Sequence, residues 1–172
     1  MSGHRNREEA VNTQLAILIS RYGVTADGET IHVHGKHRPD VLFQLRGLRV
    51  VIEGKFADHP NAAGVVLEDA RNRVKSGIAH IAAAAIYPPP LRTTPTTKIL
   101  SVLEKSKLRY RIISEADETE WFEGSPASLM DALRCAQEGL TKVDANCRRS
   151  TDPRQGAEKT GGPATKATII AP

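Results

Sequence analysis

The sequence feature that most constrains the fold is a pair of apolar-rich runs joined by a short polar break. The runs are Asp40–Arg46 and Leu48–Phe56, and both are rich in Val, Leu and Ile. Such residues favour strands, and the tight Arg46-Gly47 connection predicts a β-hairpin. A two-residue turn sets the pairing of every residue behind it. The predicted register therefore places Asp40 directly opposite Glu53.

Side chains of this predicted hairpin alternate between two faces. One face is apolar throughout, with Val41 opposite Ile52, whereas the other becomes polar only at the end that carries Asp40, Glu53 and Lys55. Two directly opposed carboxylates destabilise a strand pair unless something neutralises them. Hard oxygen ligands suit Mg²⁺ or Mn²⁺, so this end predicts a divalent metal site beside an ammonium group. The alternative is a surface salt-bridge cluster of the same three residues.

The remaining segments alternate between helical and extended patterns. Ile78–Tyr87 is ambiguous because alanine favours helices, but Gly77 before it and three prolines after it favour a buried central strand. The element order is therefore α-β-β-β-α-β-α-β-α, which predicts an α/β layered domain. The other predicted elements are helices over Asn6–Tyr22, Asn61–Ser76, Thr96–Lys107 and Pro126–Gly139, and strands over Thr30–Gly35 and Leu108–Ile113.

Length and composition predict one globular domain. The 172 residues allow a sizeable core. We expect the domain over residues 1–140 and a disordered tail or linker over residues 141–172, where Gly, Pro, Thr, Lys and Arg replace the periodic pattern. No apolar run approaches the roughly 20 residues of a membrane span, and we expect no secretory signal. Only two cysteines are present, which suits a reducing cytoplasm.

Charge is distributed unevenly along the chain. Residues 1–112 carry 17 Lys and Arg against 10 Asp and Glu, whereas residues 113–140 carry one basic residue against seven acidic ones. The basic part could face a polyanion such as a nucleic acid. A solvated surface with scattered arginines is equally consistent with these counts.

Two short matches to a known motif stand at the polar end of the hairpin, Pro39-Asp40 and, after a gap of 12 residues, Glu53-Gly54-Lys55. Together with the order α-β-β-β-α-β over residues 6–87, they resemble the PD-(D/E)xK nuclease superfamily. The resemblance implies a restriction-endonuclease-like αβββαβ core, here with a C-terminal α-β-α extension. It also implies that Asp40 and Glu53 bind Mg²⁺, for which Mn²⁺ can substitute, and that Lys55 is the catalytic lysine.

Two further groups of residues are expected near this site. Glu8 lies in phase with the apolar stripe of the first helix, which makes it, rather than Glu9, the candidate third metal ligand. The alternative is that both acids simply favour the positive N-terminal end of that helix. Basic residues beside the motif and on the second helix are expected to contact DNA phosphates, although a solvated charged face would look the same. These residues are Arg38, Arg71, Arg73 and Lys75.

The activity implied by the resemblance is metal-dependent hydrolysis of phosphodiester bonds in DNA by an endonuclease, in restriction or repair. A homodimer would suit double-strand cleavage, and a methylase or specificity module, fused or separate, would suit a restriction system. Two alternatives remain open. One is a catalytically inactive nuclease fold that binds DNA or a partner, and the other is a metal-free α/β interaction protein.

Overall fold

The computed structural model describes residues 7–24, 26–28 and 39–150, with side chains for residues 7–24 and 39–141. The helices are α1 (Glu8–Ser20), α2 (Ala62–Lys75), α3 (Pro90–Thr93), α4 (Ile99–Lys105) and α5 (Pro126–Ser150), with a 3-10 helix at Thr96–Lys98 before α4. The strands are β1 (Ala26–Gly28), β2 (Val41–Leu45), β3 (Leu48–Phe56), β4 (Ile81–Tyr87), β5 (Leu108–Ser114) and β6 (Phe122–Gly124).

These strands form one six-stranded mixed sheet in the order β1-β2-β3-β4-β5-β6. Neighbouring strands are antiparallel except β3 and β4, which are parallel. Parallel neighbours need a crossover connection of about a dozen residues or more, and α2 supplies it. The predicted α/β class is confirmed.

Helices cover the two faces of the sheet unequally. The larger core lies between one face and the helices α1, α4 and α5, where Leu15, Leu103 and Leu129 are fully buried. The other face carries α2, whose Val66 and Ala70 pack on the sheet in a smaller core. We call these the large-core face and the α2 face.

The alanine-rich segment of ambiguous pattern is the central strand β4, as predicted, and every one of its residues is buried. On the α2 face, Ala82 and Ala84 belong to the smaller core. Burial on both sides outweighs the weak helix preference of alanine, which amounts to tenths of a kcal/mol per residue.

The structure adds to the sequence prediction at the two ends of the sheet. The predicted strand Thr30–Gly35 lies outside the described residues. Strand β2 pairs with β3 on one side and with β1 on the other. The sequence pattern does not predict β6, because its three residues are too few to reveal an alternation.

The last helix is longer than its sequence pattern indicates. It continues past Gly139, the predicted end, to Ser150. A glycine inside a helix costs only about 1 kcal/mol, so it does not by itself end one. Residues 151–172 of the expected tail lie outside the described residues. Within the described part of the chain, no helix has both the length and the apolar character needed to cross a membrane.

Candidate active site

The hairpin between β2 and β3 has the predicted register. Residues Val41 to Leu45 pair in order with Ile52 to Leu48. The turn holds Arg46 at φ 48° and Gly47 at φ 85°, and two consecutive positive φ values are typical of a type I′ turn. Asp40 directly precedes the first paired residue of β2, and Glu53 directly follows its last partner in β3, so the two carboxylates occupy the end of this ladder.

The Asp40 carboxylate is held by the backbone of the facing strand. The Gly54 N–H donates a hydrogen bond to Asp40 Oδ2 at 2.7 Å. Burial raises the pKa of Asp40 to about 6, and the Gly54 hydrogen bond and the charge of Lys55 oppose this rise. The carboxylate is therefore fixed in position and remains mostly ionised at neutral pH.

Glu53 points toward α2 and has a cationic partner there. Glu53 is only 5% exposed, and Arg73 Nε donates a hydrogen bond to Glu53 Oε1 at 2.5 Å. Burial, together with the negative charge of Asp40, raises the pKa of Glu53 to about 7, although the hydrogen bond from Arg73 lowers it. The two acids of the motif thus stand in a poorly solvated place, and one of them is bound to an arginine.

Lys55 and Glu8 meet at the end of β3. Lys55 Nζ donates to Glu8 Oε2 at 3.1 Å, and the Phe56 N–H donates to Glu8 Oε1 at 3.3 Å. Burial alone would lower the pKa of Lys55, but the bond to Glu8 and the charges of Asp40 and Glu8 raise it overall. Lys55 is therefore an ammonium group. These contacts place Glu8 beside Lys55, whereas Glu9 is exposed. The role of Glu8 as a metal ligand stays a prediction.

A buried polar pair lies behind the motif and is not apparent in the sequence pattern. Tyr87 Oη donates to Asn12 Oδ1 at 2.6 Å, and both side chains are inaccessible to solvent. The Tyr87 ring lies against Gly54, where an added Cβ would stand only 2.4 Å from Tyr87 Oη. Glycine at the middle position of Glu53-Gly54-Lys55 thus makes room for this ring. The available signal was Asn12 itself, a polar residue one turn after Glu8.

The basic residues expected to contact DNA are not equally placed to do so. Arg73 requires a correction, because its side chain is only 9% exposed and is paired with Glu53 rather than presented to a phosphate. Arg71 forms two hydrogen bonds to Glu118, at 2.8 and 2.7 Å. Lys75 is exposed near the end of α2. Arg38 lies outside the described residues.

The oxygen atoms at the site are of the kind that bind a divalent cation. Asp40 and Glu53 provide neighbouring carboxylate oxygens with little solvent around them, and burial, with a smaller contribution from neighbouring negative charge, raises the pKa of each. Among the described residues, no group of three or more His, Cys, Asp and Glu side chains converges as metal ligands do. The carboxylates instead face cationic side chains, Glu53 toward Arg73 and Glu8 toward Lys55.

Comparison with known proteins leaves the site to be interpreted from its own residues. No family model, no curated protein and no solved structure matches the chain.

Proposed function

We propose that the chain is a Mg²⁺-dependent nuclease of the PD-(D/E)xK type that hydrolyses phosphodiester bonds in DNA. The observation that carries the proposal is the grouping of Asp40, Glu53 and Lys55 at the ends of β2 and β3, with Glu8 of α1 beside the lysine. A buried and a half-buried carboxylate at one end of a strand pair, with an adjacent ammonium, are a suitable set for phosphodiester hydrolysis.

Each residue of this group has a role that follows from its contacts. Asp40 and Glu53 would hold Mg²⁺, which supplies positive charge to the reacting phosphate, and Glu8 would complete the ligand set. The Gly54 N–H keeps Asp40 Oδ2 in place. Lys55 keeps its proton because its pKa is raised, so Nζ can donate a hydrogen bond to an anionic phosphate oxygen.

A second candidate function is supported by a different contact. The ion pair between Arg73 and Glu53 occupies one of the two motif carboxylates. A catalytically inactive nuclease fold that binds DNA or a partner would keep this pair permanently, whereas a nuclease would have to release Glu53 when the metal binds. The two candidates therefore differ in whether a divalent cation competes with Arg73.

A cleavage assay separates the two candidates. The full chain is incubated with supercoiled plasmid, linear duplex DNA and RNA, in Mg²⁺, in Mn²⁺ and in chelator. The proposal predicts metal-dependent cleavage of DNA that Asp40→Asn abolishes. Lys55→Met should lower the rate by about 10²–10³-fold, as loss of one donor to a developing anion does in other enzymes.

The matched control is Lys105→Met. Lys105 is an exposed residue of α4, the helix that covers part of the large-core face, and the variant should cleave DNA at the wild-type rate. Cleavage that continues unchanged in Asp40→Asn and Lys55→Met would refute the site. DNA binding without cleavage in any metal would favour the inactive module.

A further inference from the structure

A second polar feature lies at the same end of the sheet as the candidate active site. A cavity of about 490 Å³ opens where β4 ends, beside the start of α2. One wall is formed by Ile86 near the end of β4 and by Pro88, which follows the strand. His59, Lys107 and Arg109 provide the basic groups of its lining. We call this cavity the basic pocket.

The basic pocket is tied to the active site by strand register. Lys55 pairs with Ile86, and Ile86 pairs with Arg109, so the three residues form one row across β3, β4 and β5. Directly paired residues point to the same face of a sheet, and neighbouring strands are about 4.8 Å apart. The Cα atoms of Lys55 and Arg109 are therefore about 10 Å apart, and both side chains start from the α2 face.

The cations of the pocket differ from the other arginines on this face. Arg71 and Arg111 both contact the Glu118 carboxylate. Among the described residues, neither Lys107 nor Arg109 forms an ion pair, and both are exposed. The Arg109 guanidinium is positioned by an aromatic contact, with Cζ 4.8 Å from the centre of the Trp121 ring. Such stacking orients the guanidinium and leaves its N–H groups available.

One acidic residue also lines the pocket. Glu123 of β6 pairs with Arg109 of β5 and is exposed. Its charge opposes the attraction of an anion, and its removal should therefore have the opposite effect to removal of the basic residues.

We propose that the basic pocket binds a backbone phosphate of the nucleic acid, a few nucleotides from the phosphodiester held at Lys55. The proposal rests on the proposed function, since it deepens the account of the substrate. One strand of duplex DNA carries a phosphate about every 3.4 Å along the helix axis. The distance of about 10 Å between Lys55 and Arg109 therefore corresponds to about three nucleotide steps along that axis. The pocket offers two cationic side chains, Lys107 and Arg109, as donors to a phosphate, and basic contacts to the backbone set register and orientation.

The test measures binding apart from cleavage. Fluorescence anisotropy with a labelled duplex of about 20 base pairs, in chelator, follows the affinity of the full chain across salt concentrations. Lys107→Gln/Arg109→Gln keeps much of each aliphatic stem but removes both charges. Loss of this one phosphate contact should lower the salt slope by about 1 and weaken binding roughly tenfold at 0.1 M salt.

Two matched variants sharpen the test. Lys98→Gln/Lys105→Gln removes the same charge from exposed positions around α4, on the large-core face, and should leave affinity and salt slope unchanged. Glu123→Gln should tighten binding. Thermal unfolding of each variant identifies any that has lost its fold.

The outcomes for the pocket and for the nuclease are distinguishable. Unchanged affinity in a folded Lys107→Gln/Arg109→Gln variant would overturn the pocket even if the wild type cleaves DNA. If the wild type never cleaves but its binding depends on Lys107 and Arg109, the pocket is supported and the nuclease proposal fails. Equal weakening by the α4 control double variant would indicate general charge attraction and would also overturn the pocket.

Discussion

The two faces of the sheet bury their residues in different ways. The large-core face is covered by helices over leucines, isoleucines and aromatic rings, and it buries the hydrogen-bonded pair of Asn12 and Tyr87. The α2 face has a thin apolar core and instead buries an ion pair between Glu53 and Arg73. The first face supplies stability, whereas the second places charge where water is scarce.

The difference matters because buried charge is expensive. An ion pair taken out of water seldom stabilises a fold more than apolar residues of the same size would. Its presence on the α2 face, next to Asp40 and Lys55, therefore favours a functional reason for retaining charge there. The small alanines of β4 contribute by letting α2 approach the sheet closely enough for Arg73 to reach Glu53.

The substitution expected to lower the free energy of unfolding most is one that breaks the buried ion pair on the α2 face. Arg73→Met leaves Glu53 buried without its cation, and removal of one partner from such a pair costs about 3–5 kcal/mol. The measurement is the free energy of unfolding in urea at pH 8, where Glu53 is mostly ionised. Glu53→Gln/Arg73→Met should recover most of the loss, because no charge remains uncompensated.

Arg71→Met is the matched control on the same helix. Its ion pair with Glu118 is exposed, with half of the arginine side chain in solvent, so the loss of stability should be far smaller than that of Arg73→Met. Equal losses in Arg71→Met and Arg73→Met would contradict the distinction between buried and exposed pairs on this face.

A smaller effect is expected on the large-core face, directly behind the motif. Gly54→Ala places a methyl group against the Tyr87 ring, and Tyr87 is fixed by its bond to Asn12. Overpacking of this kind costs about 1–3 kcal/mol. In the same unfolding assay, Gly139→Ala should gain up to about 1 kcal/mol, since it lies within α5 with nothing within 4 Å of its added Cβ. A neutral Gly54→Ala would refute the close packing behind the motif.

Much of the fold and part of the site follow from local patterns in the sequence. The register of β2 and β3 is predictable because a two-residue turn and an apolar alternation leave one pairing that buries Val41 and Ile52 together. The position of Glu8 follows from its phase on α1. The part of the active site that depends on these short-range rules is therefore accessible from sequence alone.

The partners of the site residues are not predictable in this way. Arg73 looks like any basic residue of a charged helix, and only the packing of α2 on β4 brings it to Glu53. Lys107 and Arg109 lie far from the motif in sequence, and the register of β5 against β4 places them near Lys55. These contacts depend on how distant segments pack and pair in the folded protein, and a local sequence pattern does not predict that packing.

The last expected effect concerns pH and links both acids to the metal. The folded-state pKa values of Asp40 and Glu53, about 6 and about 7, lie above their ordinary values of 3.8 and 4.5. A raised carboxyl pKa means that the folded state binds more protons than the unfolded state. Stability should therefore fall as the pH rises from about 4 to about 7, as each carboxyl loses the proton that the folded state holds more tightly.

Magnesium should reverse this trend if it binds the two carboxylates. A cation that binds the ionised folded state adds stability at pH 8 and little at pH 5, where protons compete for the same oxygens. The melting temperature should thus rise with Mg²⁺ at pH 8 only, and Asp40→Asn should abolish the rise. A Mg²⁺-induced shift of the same size at pH 5 and pH 8, or one that persists in Asp40→Asn, would place the cation elsewhere and leave the α2 face with a charge cluster that serves structure alone.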